Sequence, residues 1–279
     1  MTRHSSRRAY RWLAHITLSA AAFFYAYPFF WMLSGSFKKS SEFFSSGLQL
    51  IPADPQWSNY VRAWRDAHFN LYFLNTVIVA VSATMIVLLL TSLAGYALAR
   101  NRFSGRKIII GIIVATLFLP RGYAILPIFD LVRRLGLLNT LAAVILVNAG
   151  TSMVVNTFLF MGYFSTLPAE VEEAALIDGA NPWTLFWHIA IPLARPMVGT
   201  VALFEFMDNW NSFFIPLVFT LGRPELRTIG VGLYAFVGQN TTQWTLLCAA
   251  AVISLSPTML LFFFLQRPFI DGIAGALKQ

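Results

Sequence analysis

The 279-residue chain is 57% hydrophobic and only 11% charged, with a formal net charge of +8 and a mean hydropathy of +0.65. A soluble domain carries about 25% charged residues, and one with this composition would expose large apolar patches. Lipid is therefore the solvent for much of the chain, and the fold class is all-α: a polytopic membrane protein with six transmembrane helices. The excess of Lys and Arg belongs to orientation in a bilayer, and no nucleic acid is expected as a partner. The single cysteine, Cys248, excludes an internal disulfide framework. Four scattered histidines without an H-E-x-x-H pattern give a metal nothing to bind.

Residues 1–12 form a basic N-terminal segment with Arg3, Arg7, Arg8 and Arg11. The apolar run that follows, from Leu13 to Leu33, exceeds the roughly 7–15 residues of a signal-peptide core and reads as an uncleaved first helix. A crossing helix needs about 20 mainly apolar residues, and windows of that kind fall near 13–34, 71–99, 108–130, 141–163, 197–221 and 245–266. The third is expected to be the least regular, because it holds Pro120, Arg121 and Pro127. Dense basic segments before the first window and between the second and third favour a cytoplasmic N-terminus. Six crossings then return the tail, 267–279, to the same side.

On that topology residues 165–195 face the cytoplasm, yet the segment is acidic: Glu170, Glu172, Glu173 and Asp178 stand against Arg195. Its local grammar predicts two short helices. Pro168 suits a first turn, the glutamates lie at the positive end of the helix dipole, and Gly179 suits the stop. Asn181 can cap a second helix opened by Pro182 and ended by Pro192. Ala174 and Ala175 give the first helix a small-residue face that admits close approach. A helix–Gly–helix element of this kind reads as a docking lug for a soluble partner with basic groups. A helix lying on the bilayer surface would carry Lys and Arg instead.

The run Glu173-Ala174-Ala175, three residues, Gly179, nine residues, Ile189-Ala190-Ile191-Pro192 resembles the EAA motif of ABC importer membrane subunits, with Ile191 where that motif has Leu. Further segments resemble the carbohydrate branch, the shorter six-span permease of the maltose-permease type. They include Phe37-Lys38, Gly95-Tyr96-Ala97-Leu98-Ala99-Arg100, Asp178-Gly179-Ala180 with Pro182-Trp183, and Asn209-Trp210-Asn211 with Phe213 and Pro216. Ala249-Ala250-Ala251 and Gln266-Arg267 before a Gly-Ile-Ala-Gly-Ala tail complete the likeness.

The resemblance implies a type I importer permease fold in a bacterial plasma membrane. It implies a second permease subunit, two ATP-binding subunits, an extracytoplasmic sugar-binding protein and a carbohydrate substrate as partners. It implies no cofactor on this chain and no enzymatic activity of its own, ATP being bound by the partner ATPase; a phosphate-binding G-x-x-x-x-G-K-[ST] is absent from the sequence. In the family the EAA loop docks in a cleft of the ATPase, and closure of two ATPases turns the membrane cavity outward. Glu173 and Glu170 then pair with basic groups, Ala174 and Ala175 allow close packing, and Asp178 and Gly179 form the turn. Ile189 and Pro192 pass the push to the fifth span.

That span holds Glu205, Asp208, Asn209, Trp210 and Asn211. Polar groups inside a membrane point to function, so these residues are candidates for a translocation path; hydrogen bonding between helices is the other reading. Glu205 and Asp208 also admit a different class of protein, an ion-coupled secondary transporter. Weaker signals are set aside: a G-x-G-x-x-A match from Gly230 without a framing strand, and an Asn240-Thr241-Thr242 sequon. Arg133-Arg134 is read as a solvated or headgroup-level pair, and His188 as packed rather than catalytic.

Overall fold

In hydrocarbon a backbone N–H finds no water, so it must bond within its own segment, and this chain is helical almost throughout. The computed structural model describes residues 2–45, 47, 49–66, 68–118, 124–237 and 242–276, with backbone alone at 2–10, 235 and 264–276. Among the described residues there is no strand beyond an isolated bridge between Val237 and Thr242. Pro120, Arg121, Asn240, Thr241 and the side chain of Arg267 lie outside the description.

The chain divides into two units, residues 1–69 with 233–256 and residues 70–232 with 257–279. In the first, α1 (Thr2–Ser36) carries Pro28 inside it, and α2 (Glu42–Ser45) and α3 (Ser58–Asp66) follow. The Phe37-Lys38 pair is structural: the Phe37 ring packs against Trp57 and Tyr60, centroids 4.7 and 5.1 Å away. Lys38 is buried and its Nζ donates to the Gln49 carbonyl at 2.6 Å. Asn59 Nδ2 donates to the carbonyls of Ser36 and Lys38, fixing the chain reversal after α1.

The second unit holds nearly all of α4 (Phe69–Arg100), then α5 (Arg106–Leu117), α6 (Ile125–Arg134) and α7 (Leu141–Thr166). The hairpin α8 (Ala169–Ile177), α9 (Pro182–Thr184), a π-helix (Leu185–Ala190) and α10 (Ile191–Leu193) leads into α11 (Arg195–Asn211). Then come α12 (Phe214–Phe219), α13 (Ile229–Gly232) and the long α14 (Trp244–Ala276), which begins in the first unit. Gly230 and Gly232 of the set-aside glycine match sit in α13, alternating with buried Ile229 and Val231. Arg133 and Arg134 are exposed and both bind Asp130, at 2.8 and 2.7 Å.

Among the described residues four helices are long and apolar enough to cross a membrane on their own: Arg11–Ser36, Phe69–Arg100, Leu141–Thr166 and Trp244–Phe263. Two expected windows are not single helices. The third divides into α5 and α6, on either side of the Pro120 region. In the fifth, α11 has 17 residues, a rise of about 25 Å, and stops where Ser212 turns extended. Pro216, which has no N–H to give the Ser212 carbonyl, lies in the separate helix α12. Upstream, α11 meets the segment Pro182–Leu193 at a 77° bend, and that pair together also passes the test for a span.

Candidate coupling loop and intramembrane groove

The first loop helix begins one residue later than Pro168 suggests, with Pro168 itself at the N-cap. Its end is a Schellman closure: Ala180 N–H donates to the Ala175 carbonyl (2.9 Å) and Gly179 N–H to that of Leu176 (3.0 Å). Gly179 occupies the required left-handed conformation, φ +85°, which costs a residue with a Cβ about 1–2 kcal/mol. Asn181 caps the second helix, its Oδ1 accepting from the Thr184 N–H at 2.9 Å. Pro192 does not end that helix but loosens it from within. It cannot donate to the His188 carbonyl, and the turns just before it are wound as a π-helix. The break falls instead at Ala194, with Pro196 opening α11.

The π-helix buries Leu185, Phe186 and Ala190, and the last two share a cluster with Phe160 and Phe164 of α7 and Val201 of α11. His188 points away from that face and is exposed, so the expectation of a packed histidine fails on the π register. Ile189 and Pro192 are half-buried, and Ile191 between them packs against the cluster. Glu170, Glu173, Ala174, Asp178 and Gly179 are exposed, and Ala175 is half-buried. Beside the acids, Ile177 is 86% exposed and Trp183 64%.

One acid behaves differently. Glu172 Oε1 lies 2.9 Å from Arg100 Nε, both side chains largely buried. The Nε–H is not aligned as a hydrogen bond, so this is a charge contact. Arg100 also donates from a terminal nitrogen to the Leu167 carbonyl at 2.8 Å, and the Tyr96 hydroxyl donates to Glu172 Oε2 at 3.3 Å. The Tyr96 ring meets Phe164 and Phe186 at 5.3 and 5.4 Å. Gly95 lets α4 approach α7: a Cβ there would stand 2.6 Å from Phe160 Cβ and 2.8 Å from Met161 N. The sequence marks Gly95, Tyr96 and Arg100 as a motif without showing that they clamp the loop. The four-residue spacing of Tyr96 and Arg100, which puts both on one helix face, was the available signal.

The polar residues of α11 separate into two sets. Glu205, Asp208 and Asn211 line a groove of about 520 Å³ together with Ser152 and Asn156 of α7. Asn156 Nδ2 donates to Glu205 Oε1 at 2.6 Å. Glu205 is only 7% exposed and its Oε2 has no hydrogen-bond partner. Asn209 and Trp210 are not brought to the groove. Asn209 is buried and donates to the Glu205 main-chain carbonyl at 2.7 Å. The buried Trp210 ring packs against Phe73 and Phe206, 5.4 and 5.5 Å away. Among the described residues no group of His, Cys, Asp and Glu is arranged to hold a metal.

Long apolar helices with a helix–Gly–helix hairpin ahead of α11 are the architecture of the class to which its family match assigns this chain, the importer permease subunits. Residues 88–273 match the model of the binding-protein-dependent transport system inner membrane component, and the chain belongs to that family. It is 36% identical over 276 residues to a diacetylchitobiose uptake system permease protein of Streptomyces coelicolor, covering 99% of this chain and 90% of that one. It is 32% identical to a melibiose/raffinose/stachyose import permease protein of Bacillus subtilis, covering 94% and 96% of the two chains. Its fold is similar to a chain of a bacterial ABC transporter involved in the import of the acidic polysaccharide alginate. That match has a TM-score of 0.84 and 26% identity, and covers 96% of this chain and 98% of that one. The chain is thus an integral inner-membrane permease of ABC importer type, and the ion-coupled alternative is displaced.

Proposed function

We propose that this chain is one of two membrane subunits of an ATP-driven, binding-protein-dependent carbohydrate importer, providing half of the path and taking its power stroke through residues 165–195. The chain crosses six times, with α5 and α6 making the third crossing and α11 with α12 the fifth, and both termini are cytoplasmic. Two ATP-binding subunits work from the cytoplasm, and a sugar-binding protein delivers the substrate from outside. Carbohydrate is supported by relatives whose names specify diacetylchitobiose and melibiose, raffinose or stachyose.

The observation that carries the coupling role is the division of labour among the loop glutamates. Glu172 is tied to Arg100, while Glu170 and Glu173 project from a rigid hairpin beside exposed Ile177 and Trp183. Exposed apolar groups on a water-facing element favour a protein cover, and free carboxylates beside them favour basic groups on that cover. The π-helix, seated against α7 and α11, joins the docked hairpin to the path. The test is co-purification and uptake. An ATPase should come down with this chain and be lost with Glu173→Lys, which should also abolish uptake while membrane insertion persists. Uptake driven by a proton gradient without ATP would overturn the reading.

A further inference from the structure

The groove between α7 and α11 carries charge of one sign. Two of its lining side chains are acids, Glu205 and Asp208. Ser152, Asn156 and Asn211 are neutral, the remaining lining residues are apolar, and no Lys, Arg or His contributes. Glu205 is the more informative acid, because more than nine-tenths of it is buried. Asn156 orients it through Oε1, and Asn156 is itself held by its bond to the Ser152 carbonyl at 3.0 Å. That leaves Oε2 without a partner. A buried, unpaired carboxylate oxygen is costly unless a donor arrives, and Glu205 is one of the residues that line the groove.

We propose, building on the importer reading, that this groove selects its substrate by charge. It accepts carbohydrates that present hydroxyl, amide N–H or ammonium donors, and it rejects those that carry carboxylates. Glu205 is the specificity-determining residue: its free Oε2 accepts from a donor on the passing sugar. Asp208, exposed in the same groove, adds a second negative charge. A uronate brought here meets two carboxylates and no cation among the lining residues, and like charges placed together repel. The similar fold in the alginate importer serves an acidic polysaccharide, so discrimination of this kind resides in the groove side chains rather than in the fold.

The test uses the assembled importer in detergent, without its binding protein, so that only the membrane path selects. Three disaccharides of matched size serve as probes in saturation-transfer NMR titrations: diacetylchitobiose (neutral), chitobiose (cationic) and dimannuronate (anionic). The wild-type complex should bind the first two at least about tenfold more tightly than dimannuronate, and Glu205→Gln, which keeps size and loses charge, should shrink that ratio to below about threefold. Equal binding of dimannuronate by the wild type, no binding of any probe, or an unchanged ratio in Glu205→Gln would overturn the proposal. ATP-dependent sugar uptake by the wild-type complex, measured in parallel with the binding protein present, separates this failure from failure of the importer reading. Co-elution of Glu205→Gln with the other importer subunits as a single size-exclusion peak, with a thermal midpoint near that of wild type, shows that the variant is folded.

Discussion

Glu172 and Glu173 are adjacent in the chain and opposite in surroundings: the first is held 2.9 Å from Arg100, the second faces water. A helix turns about 100° per residue, so neighbouring positions cannot share a face. The loop thereby fastens itself to α4 with one acid and leaves the next facing water. Glu170 and Glu172, in the first turn of α8, also favour that helix through its dipole.

Removing the clamp should uncouple the loop without removing its docking surface. In Arg100→Ala a largely buried carboxylate loses its cation, a change that costs roughly 3–5 kcal/mol. Uptake should fall sharply in Arg100→Ala and in Glu172→Ala. Their double variant should lose less than the sum of the two, because the sites are in contact. Strictly additive losses in a double-mutant cycle of unfolding would show that the pair is not energetically coupled.

Gly95 is a packing position rather than a flexible one. Even Gly95→Ala places a carbon within 2.8 Å of the Met161 amide nitrogen, which is backbone and cannot rotate away. Overpacking of this kind typically costs about 1–3 kcal/mol, so the thermal midpoint of the purified complex should drop, and drop further for Gly95→Leu. A midpoint unchanged in Gly95→Leu would mean that α4 and α7 do not approach as closely as described.

Gly179 tests conformation alone, since nothing lies within 4 Å of where its Cβ would be. Uptake should therefore decline in the order Gly, Asn, Ala, Val, following tolerance of the left-handed region rather than side-chain volume. Asn performing worse than Ala would point to a steric role at the docking surface instead.

On the segment after α1, Lys39 and Asp54 form an exposed ion pair at 2.7 Å. The Lys39 hydrogen bond, then its charge, hold the Asp54 carboxyl below its ordinary 3.8, and Asp54 raises Lys39 above 10.5 in the same way. Any contribution of Asp54 is present above pH 3.8 and fades as pH falls through the lowered value; that of Lys39 is present below pH 10.5 and fades as pH rises past the raised one. Between those limits a solvated pair of this kind contributes little. NMR titration of Lys39→Met should show Asp54 returning to its ordinary value, with no change in the thermal midpoint at pH 7.

The hairpin was legible before any coordinates because its rules are local. Gly at a Schellman C′ position, Asn before Pro at an N-terminus and acids in a first turn act within a few residues, and α8 and α9 follow them. The break in the fifth window was harder to see. A hydropathy window counts apolar residues and passes over Pro216, where a missing N–H divides the run. The partition of α11 was also out of reach. Glu205, Asp208, Asn209, Trp210 and Asn211 look alike as polar or amphipathic insertions, and packing decides that Asn209 and Trp210 are core while Glu205, Asp208 and Asn211 line the groove.

By itself the sequence determined the solvent, the helical class, the family likeness and the helix–Gly–helix hairpin, because composition and short-range backbone chemistry are sufficient for those. Only the tertiary structure decided which of the 12 acids does what. Glu172 is spent on Arg100, Glu170 and Glu173 remain available, and Glu205 is buried with one oxygen free. A charge acquires its role from what lies within a few ångströms of it, and those neighbours come from residues far away in the chain.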